Sequence, residues 1–419
     1  MTPRRLLLIA VCYALSTLPA SAANWPGFRG QGSAGVSDEK GLPTKWSDSE
    51  NVVWKTDLPG PGSSSPCIWG DRIFITCYSG YGINPNEPGE QENLRLHLVC
   101  VDRKNGKILW DKAVNARLPE QPYSGFMLQH GYASSTPATD GESVYVFHGK
   151  TGVFAYDFAG KELWNADVGD KLFMWGSGSS PLLYKDFVIV NAGVESGALI
   201  ALNKKTGKEE WKTPGIKGCW GSPALVDVPG SKQEIVLSFP NTMRAFNPDS
   251  GKENWKCDGI RESYLCTTVV SKDGIVYAIG ARAAASIAVK AGGNGDVTKT
   301  HVLWTKKGGA NVPSPAIFDG HLYWVNDGGM AYCLNLKDGE QVYSERLKGG
   351  CYASVTIADG KIYVQTKKAG VFVLAAGPKF EQLAHNTLSD DGTFNASPAV
   401  SKGQIFLRSD KRIYCIGGK

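Results

Sequence analysis

Short apolar runs recur along the whole chain and are separated by turn-forming residues. Ile73-Phe74-Ile75 and Val144-Tyr145-Val146-Phe147 are typical, because β-branched and aromatic residues occupy successive positions. Runs of this length and composition, bounded by Gly and Asp, predict β-strands. Pairs of turn residues between consecutive runs predict tight hairpins: Gly70-Asp71, Asp140-Gly141, Asp319-Gly320 and Asp359-Gly360. The pattern therefore predicts an all-β protein.

One sequence unit repeats at a spacing of about 40–55 residues, which is the length of a four-stranded propeller blade. Each unit begins with Ser or Thr, usually before Pro, and most end in a Gly-Lys turn followed by Trp; the third unit has Ser180-Pro181, Gly207-Lys208 and Trp211. Pro suits the first residue of a strand, where its missing N–H costs least. A structural Trp packed between neighbouring blades is expected on the fourth strand of six blades: Trp54, Trp110, Trp164, Trp211, Trp255 and Trp304.

Eight units begin along the chain, but the last one ends without a fourth strand. Residues 51–56 contain Trp54 and precede Leu58-Pro59-Gly60, as expected of a fourth strand. We therefore expect the N-terminal strand to complete the last blade, which closes the ring and leaves no open sheet edge. The prediction is an eight-bladed β-propeller of four-stranded antiparallel blades. The alternative, two stacked β-sandwiches, does not explain the repeated unit.

The N-terminus has the features of a secretory signal peptide over residues 1–23. Arg4 and Arg5 precede a short apolar run, and Ala20-Ser21-Ala22-Ala23 provides small residues for cleavage. No apolar stretch is long enough to span a bilayer, so no transmembrane segment is expected. A lipid anchor at Cys12 is disfavoured because Val11 is bulky. The sequence thus predicts a periplasmic or extracellular protein, with residues 24–419 forming one propeller.

Charge and composition exclude one class of partner. The chain has 45 Lys and Arg, 40 Asp and Glu, a net charge of +5 and no basic block. A nucleic-acid-binding surface requires concentrated positive charge, so nucleic acid is not expected as a partner. We expect a monomer.

The repeated Ser-Pro and Gly-Lys-x-x-Trp unit resembles the PQQ-like propeller repeat. This repeat is shared by quinoprotein alcohol dehydrogenases and by the propeller lipoprotein of outer-membrane assembly, and residues 24–30 are similar to the start of many exported members. In the dehydrogenases the resemblance implies a quinone lying on Trp, an Asp base beside Ca²⁺ held by Glu, Asn and Asp, and often two adjacent cysteines. This chain has no Cys-Cys pair and no matching ligand set. We therefore expect neither PQQ nor Ca²⁺ as a cofactor.

The ten cysteines fall into distinct groups. Cys100, Cys333 and Cys415 occupy a small-residue position of the third strand, where a free Cys behaves as a small apolar residue. Three others precede a first strand and could surround the channel, but no Cys-x-x-Cys or His-x-His spacing supports a metal site: Cys219, Cys266 and Cys351. A Cys77–Cys100 cross-strand bridge stays open as a possibility.

Strands A to D of a blade alternate in direction, so the D–A and B–C connections share one face. The two longest insertions, residues 79–96 and 113–133, belong to that face, and the D–A segments are rich in aromatic residues. Elaborated loops on a rigid scaffold are common functional sites. The candidate contact residues are His130, Tyr132, Trp175, Trp220, Tyr264 and Tyr352, with Arg244, Arg261 and Arg282 as polar partners. The alternative is that these aromatic residues only plug the funnel.

These observations favour a non-enzymatic binding scaffold that engages a protein or peptide through the D–A/B–C face. Two alternatives remain open. One is a redox enzyme that holds PQQ or another quinone in the central funnel, and the other is a carbohydrate-binding propeller. The sequence has no recognisable nucleophile or phosphate-binding motif.

Overall fold

The computed structural model describes residues 24–280 and 284–418, and its strands form eight sheets. The predicted eight-bladed propeller of four-stranded antiparallel blades is confirmed. Two short helices, α1 (Met127–His130) and α2 (Thr298–His301), lie in connections, as do three 3₁₀ turns: Gln31–Ser33, Gln91–Asn93 and Gly149–Thr151. No helix in the described part of the chain is long and apolar enough to cross a membrane. The predicted signal peptide, residues 1–23, lies outside the described residues.

The blades follow one another in chain order, and strand A of each is innermost. The first half of the strands is β1 (Val36–Ser37), β2 (Val52–Asp57), β3 (Cys67–Trp69), β4 (Arg72–Ser79), β5 (Arg95–Asp102), β6 (Ile108–Asn115), β7 (Ala138–Thr139), β8 (Ser143–Phe147), β9 (Val153–Asp157), β10 (Glu162–Ala166), β11 (Leu182–Tyr184), β12 (Phe187–Ala192), β13 (Ala198–Asn203), β14 (Glu209–Pro214), β15 (Ala224–Val226), β16 (Glu234–Phe239) and β17 (Thr242–Phe246). The second half is β18 (Glu253–Asp258), β19 (Val270–Lys272), β20 (Ile275–Gly280), β21 (Ala285–Lys290), β22 (Gly295–Asp296), β23 (Val302–Lys307), β24 (Ala316–Phe318), β25 (His321–Val325), β26 (Met330–Asn335), β27 (Gln341–Arg346), β28 (Thr356–Ala358), β29 (Lys361–Gln365), β30 (Val371–Ala375), β31 (Gln382–Asn386), β32 (Ala399–Ser401), β33 (Gln404–Arg408) and β34 (Arg412–Ile416). Blades 1 to 4 are β3–β6, β7–β10, β11–β14 and β15–β18, blade 5 is β19–β21 with β23, blades 6 and 7 are β24–β27 and β28–β31, and blade 8 is β32–β34 with β2.

Burial follows the position of a strand within its blade. In blade 1, the six central residues of both β4 and β5 are buried, whereas β6 alternates between half-buried and exposed residues. Strands B and C are covered on both faces by neighbouring blades, so they are continuously apolar, while the outer strand meets solvent. This explains why strand B is the clearest apolar run in each sequence unit.

The strand D tryptophans fill the gap between one blade and the next. Trp54 of blade 8 lies against Gly106 in the C–D turn of blade 1, where a Cβ atom would approach the indole to 2.6 Å. Trp54 Nε1 also donates a hydrogen bond of 2.9 Å to Arg103 O. Gly106 has a φ of 75°, so the turn requires Gly for its backbone as well as for the contact. The same contact joins Trp110 to Gly160, Trp164 to Gly207, Trp211 to Gly251 and Trp304 to Gly339.

Trp255 is held differently because blade 5 lacks the Gly-Lys turn. Its Nε1 donates to the carboxylate of buried Glu234 at 2.7 Å, and this carboxylate also accepts from Gly292 N at 3.1 Å. The long C–D connection of blade 5 then runs beside blade 4, where β22 pairs in parallel with β18.

One hydroxyl residue from each sequence unit forms a closed ring around the propeller axis. The backbone N–H of each residue donates to the side-chain hydroxyl of its equivalent in the next blade, at 2.9 to 3.0 Å. These contacts give the innermost buried N–H groups partners across the blade boundary, which buried backbone requires. The ring comprises Ser65, Thr136, Ser180, Ser222, Thr268, Ser314, Ser354 and Ser397.

The ring closes as predicted, because β2 pairs with β34 and places Trp54 opposite Cys415. The segment before β2 closes the channel on the A–B/C–D face. Trp25 bridges Ile68 of blade 1. Arg29 is fully buried and its guanidinium donates to Pro315 O at the start of blade 6. This N-terminal floor was not predicted, because its sequence does not belong to the repeat.

Candidate functional site

The channel widens into a cavity of about 480 Å³ toward the D–A/B–C face, a size typical of small-ligand pockets. Its floor combines the N-terminal segment with six members of the hydroxyl ring: Phe28, Ser65, Ser222, Thr268, Ser314, Ser354 and Ser397. Its walls and mouth come from the D–A and B–C connections: Ser63, Gly125, Phe126, Gln129, His130, Ser134, Trp175, Gly178, Trp220, Tyr264, Cys266, Asn311, Val312, Asp327, Tyr352, Lys367 and Asn395.

One side of the cavity is an aromatic cluster centred on Trp175. Its ring centroid lies 4.2 Å from that of Tyr264, 5.1 Å from Trp220, 5.3 Å from Phe173 and 5.5 Å from Phe126. The ring planes are tilted by 53° to 77° in these pairs, which is the geometry that aromatic side chains favour when they pack. The cluster therefore forms a wall with angled faces rather than a parallel slot.

Residues 125–131, which include α1, lie across part of the cavity mouth and are called the cap. The cap belongs to the blade 1–2 connection but contacts blades from the far end of the chain. The His130 ring stacks on Tyr352 at 6.4 Å, and Asn395 Nδ2 donates to Gln129 O at 2.5 Å. The mouth is thus narrowed by contacts between the first and the last blades.

The ionisable side chains of the cavity wall balance in charge. Asp327 accepts from Asn311 N at 2.6 Å, and burial raises the pKa of its carboxyl. Lys367 has its Nζ 5.4 Å from the centre of the Tyr352 ring and opposes that rise in pKa. Burial lowers the pKa of His130, so its imidazole is neutral at pH 7. Among the described residues of the wall, one carboxylate and one ammonium therefore leave no net formal charge.

Two side chains of the wall have unused hydrogen-bonding capacity. Trp175 Nε1 and Asn395 Oδ1 are buried and have no hydrogen-bond partner within the described part of the chain. Asn395 is only 9 % exposed. Buried polar atoms normally find a partner, so these two atoms mark a place where a bound molecule could supply one.

Apolar side chains are exposed around the cavity mouth. Phe126 is 50 % exposed and Met174 is 62 % exposed. Six of the exposed large apolar residues belong to D–A or B–C connections of the first three blades: Ile83, Leu118, Phe126, Leu128, Phe173 and Met174. The other four lie singly on outer strands: Leu109, Leu163, Leu303 and Val342. We call Phe126, Leu128, Phe173 and Met174 the apolar rim.

The loop that carries Phe173, Met174 and Trp175 is anchored by a buried carboxyl. The Ser177 hydroxyl donates to Glu195 Oε1, and Glu195 O accepts from Lys171 N at 3.0 Å. Glu195 lies in the B–C connection of blade 3 and is 2 % exposed. Burial raises the pKa of Glu195 to about 7.

The structure brings five of the sequence candidates together at the cavity: His130, Trp175, Trp220, Tyr264 and Tyr352. Tyr132 lies elsewhere. Its ring packs 5.3 Å from that of Tyr78 and 5.8 Å from that of Tyr81, and its hydroxyl donates to Gln121 O at 2.6 Å. The long blade 1 insertions need a small core of their own, and Tyr132 belongs to that core.

Arg244 and Arg261 do not line the cavity. Arg244 lies on β17, where its Nε donates to Glu253 at 2.5 Å and its guanidinium stacks on Phe239 and Phe246. Arg261 is exposed and borders a separate shallow depression. Arg282 lies outside the described residues.

Sequence reasoning missed the polar half of the cavity. Asp327 and Lys367 follow strand B of blades 6 and 7, in B–C connections that topology had already assigned to the functional face. Asn395 belongs to a D–A segment in which only the aromatic residues were considered as candidates. Phe28 had no repeat position and therefore no predicted location.

The nine cysteines in the described part of the chain are free. Cys77 is opposite His97 and Cys100 is opposite Phe74, so the conceivable bridge between Cys77 and Cys100 does not form. Of the three channel cysteines, only Cys266 lines the cavity. Over the described residues, no three His, Cys, Asp or Glu side chains are placed to hold a metal ion.

Comparisons with known proteins agree with this architecture. A structure of BamB from Moraxella catarrhalis matches with a TM-score of 0.58 and 13 % identity, over 88 % of this chain and 97 % of that chain. Quinohemoprotein alcohol dehydrogenase from Comamonas testosteroni matches with a TM-score of 0.66 and 12 % identity, over 95 % of this chain and 81 % of that chain. A europium-containing methanol dehydrogenase matches with a TM-score of 0.63 and 11 % identity, over 94 % of this chain and 98 % of that chain. At these identities the matches show the fold alone.

A search of curated protein sequences found no match. The family model described as outer membrane protein assembly factor BamB matches residues 95–300 and 241–377, which together span more than half of the chain. The chain therefore belongs to this family of PQQ-like propellers.

Proposed function

We propose that this protein is an exported binding scaffold whose apolar rim holds a polypeptide segment carrying apolar side chains. The observation that carries the proposal is the concentration of exposed apolar side chains in neighbouring connections of one face. Phe126 and Leu128 lie on the cap, and Phe173 and Met174 lie on the adjacent loop. Exposed apolar clusters of this kind are typical of protein-binding surfaces. The name of the matching family describes an assembly factor for proteins, which agrees with a polypeptide partner.

Peptide selection tests the rim directly. A random-peptide phage library would be panned against the mature protein, and the selected peptides measured by calorimetry. The double variant Leu128→Ser and Met174→Ser should weaken binding at least tenfold, because apolar anchors dominate such interfaces. The matched control is Leu163→Ser with Leu303→Ser, which removes two comparably exposed residues, 46 % and 48 %, from outer strands. Absence of enriched peptides, or equal binding by both double variants, would refute the proposal.

Export is the second part of the proposal and rests on residues 1–23. Expression of the full chain in a Gram-negative host, followed by fractionation and N-terminal sequencing, should recover a periplasmic protein that begins near Asn24. A cytoplasmic protein that retains residues 1–23 would contradict it.

We infer that the quinone cofactor of the enzymes with this fold is not the ligand of this cavity. PQQ carries three carboxylates, whereas the described wall residues include one cation, Lys367, opposite the carboxylate of Asp327. Asp327 is the single carboxylate among the described residues that line the cavity, and the described residues contain no group of three His, Cys, Asp or Glu side chains placed to hold a metal ion. The aromatic planes are also tilted rather than parallel. We expect calorimetric titration with PQQ, with and without Ca²⁺, to show no binding, and stoichiometric binding would overturn this view.

A further inference from the structure

The cavity beneath the cap has features that the apolar rim does not use. Its floor consists of ring hydroxyls, its polar side holds Asn395 and Asp327, and its other side is the aromatic cluster around Trp175. The rim residues Leu128 and Met174 do not line it. The cavity can therefore serve a ligand separate from the polypeptide partner.

The charge of the wall selects a neutral ligand. Asp327 and Lys367 offset each other, and the buried His130 is uncharged at pH 7. Asp327 would repel an anionic ligand and Lys367 would repel a cationic ligand, and the described wall residues have no excess charge of either sign to compensate. In a partly enclosed cavity such an unbalanced charge is costly.

The two sides of the cavity require a ligand with one apolar face and a polar edge. Trp175 and Tyr264 offer faces that meet at an angle of 59°, so a flat ring cannot be held between parallel planes. A ring with a C–H face can rest on one of these surfaces while its edge turns to the opposite wall. That wall supplies an amide, a carboxylate and an ammonium, from Asn395, Asp327 and Lys367.

The hydrogen-bonding pattern favours hydroxyl groups on that polar edge. On the polar side, Asn395 Oδ1 is an acceptor without a partner among the described residues, and on the aromatic side Trp175 Nε1 is a donor without one. Each ring hydroxyl of the floor accepts a backbone N–H through its oxygen and so retains a proton to donate. A ligand must both donate and accept, at several closely spaced points, to match this surface.

We propose that the cavity beneath the cap binds a neutral saccharide, with its C–H face on the aromatic cluster and its hydroxyls toward Asn395 and the floor. The cap narrows the mouth through its contacts with Tyr352 and Asn395, so the saccharide is short or is the end of a longer chain. This inference does not depend on the proposed polypeptide partner, because Trp175 and Asn395 carry it whereas Leu128 and Met174 test the rim; Phe126 borders both.

A glycan array of neutral and charged glycans, followed by calorimetry with cellobiose, maltotriose and N,N′-diacetylchitobiose, tests the inference. We expect neutral glycans to bind with one site per chain. Trp175→Phe keeps an aromatic ring but removes the indole N–H with its five-membered ring, and Asn395→Ala removes the acceptor, so each should weaken binding by about tenfold. Trp69→Phe is the matched control, because Trp69 lies on an A–B hairpin and does not line the cavity. Thermal melting identifies any variant that fails to fold.

The outcomes separate this inference from the proposed function. Saccharide binding that is lost in Trp175→Phe but kept in the Leu128→Ser and Met174→Ser double variant supports a separate site. No neutral glycan bound on the array, or binding unaffected by both cavity variants, overturns the saccharide site, whether or not peptides bind the rim. Preference for acidic glycans would also overturn it, because the described residues of the wall have no net positive charge to select them.

Discussion

Replacing Glu195 by Gln should stabilise the protein increasingly as the pH rises from about 4.5 to about 7, and fully above that range. Glu195 is buried, accepts a hydrogen bond from Ser177, and forms no ion pair in the described part of the chain. Its pKa rises from about 4.5 to about 7 because burial disfavours the charge. Gln keeps an oxygen acceptor for Ser177 and cannot ionise.

The size and sign of the effect follow from the two pKa values. Between pH 4.5 and pH 7 the unfolded chain has already lost the Glu195 proton while the folded chain retains it, so stability falls as pH rises. Above pH 7 both states are ionised and the full penalty is present. At about 1.4 kcal/mol for each pH unit between the two values, the penalty is about 3 kcal/mol.

Guanidinium unfolding at pH 5 and pH 8, followed by tryptophan fluorescence, measures this effect. The free energy of unfolding of Glu195→Gln should exceed that of the wild type by up to about 3 kcal/mol at pH 8 and differ little at pH 5. Glu209→Gln is the matched control, because Glu209 is exposed on β14 of the same blade. The pKa of Glu120 is also raised to about 7, but it titrates in both proteins and largely cancels in the difference. An equal effect at both pH values, or a less stable variant at pH 8, would refute the reasoning.

Three further predictions concern the ring and the thiols. In thermal melting, Gly106→Ala should lower the stability of the protein by about 1–3 kcal/mol more than Gly320→Ala does. Both glycines have a positive φ, but only Gly106 lies against a tryptophan. Equal losses of stability would show that the contact between turn and tryptophan does not matter. Ser354→Ala should lower the free energy of guanidinium unfolding by about 1–3 kcal/mol, because it leaves the N–H of Ser314 unpaired, and Ser354→Thr should recover most of that loss. An unchanged free energy of unfolding would mean that the hydroxyl ring is dispensable. Iodoacetamide at pH 8 should label native cysteines very slowly, because burial raises the pKa even of the cavity-lining Cys266 to about 12; rapid labelling, compared with the unfolded chain by mass spectrometry, would contradict this.

The fold was predictable because most blades repeat one contact, in which a strand D tryptophan packs against a glycine turn of the next blade. Gly-Lys-x-x-Trp marks the contact between blades, and Trp54 before the first full unit showed how the ring closes. The position of the aromatic wall also followed, because topology places all D–A connections on one face. The direction of an individual side chain did not follow, so Tyr132 was expected at the funnel although it packs into the core of its own insertion.

Features that depend on distant parts of the chain were beyond sequence reasoning. The role of Ser354 becomes visible only when neighbouring blades are side by side and its hydroxyl accepts the N–H of Ser314. Arg244 resembled a free binding residue, but Glu253 on the next strand satisfies it. The N-terminal floor contains Arg29 and Phe28 outside any repeat, so no periodicity could place them.

The position of the cap links assembly of the site to closure of the ring. The cap belongs to the connection after blade 1, yet its Gln129 accepts hydrogen bonds from Lys367, in the B–C connection of blade 7, and from Asn395, in the connection between blades 7 and 8. These partners stay in place only if blade 8 is completed by β2, because β2 ties the N-terminus to the final strand. A propeller whose ring opened would thus lose the polar wall of the cavity before it lost the aromatic cluster, whose residues lie in the connections between blades 1 and 5. Closure of the ring therefore stabilises the fold and also sets the geometry of the cavity mouth.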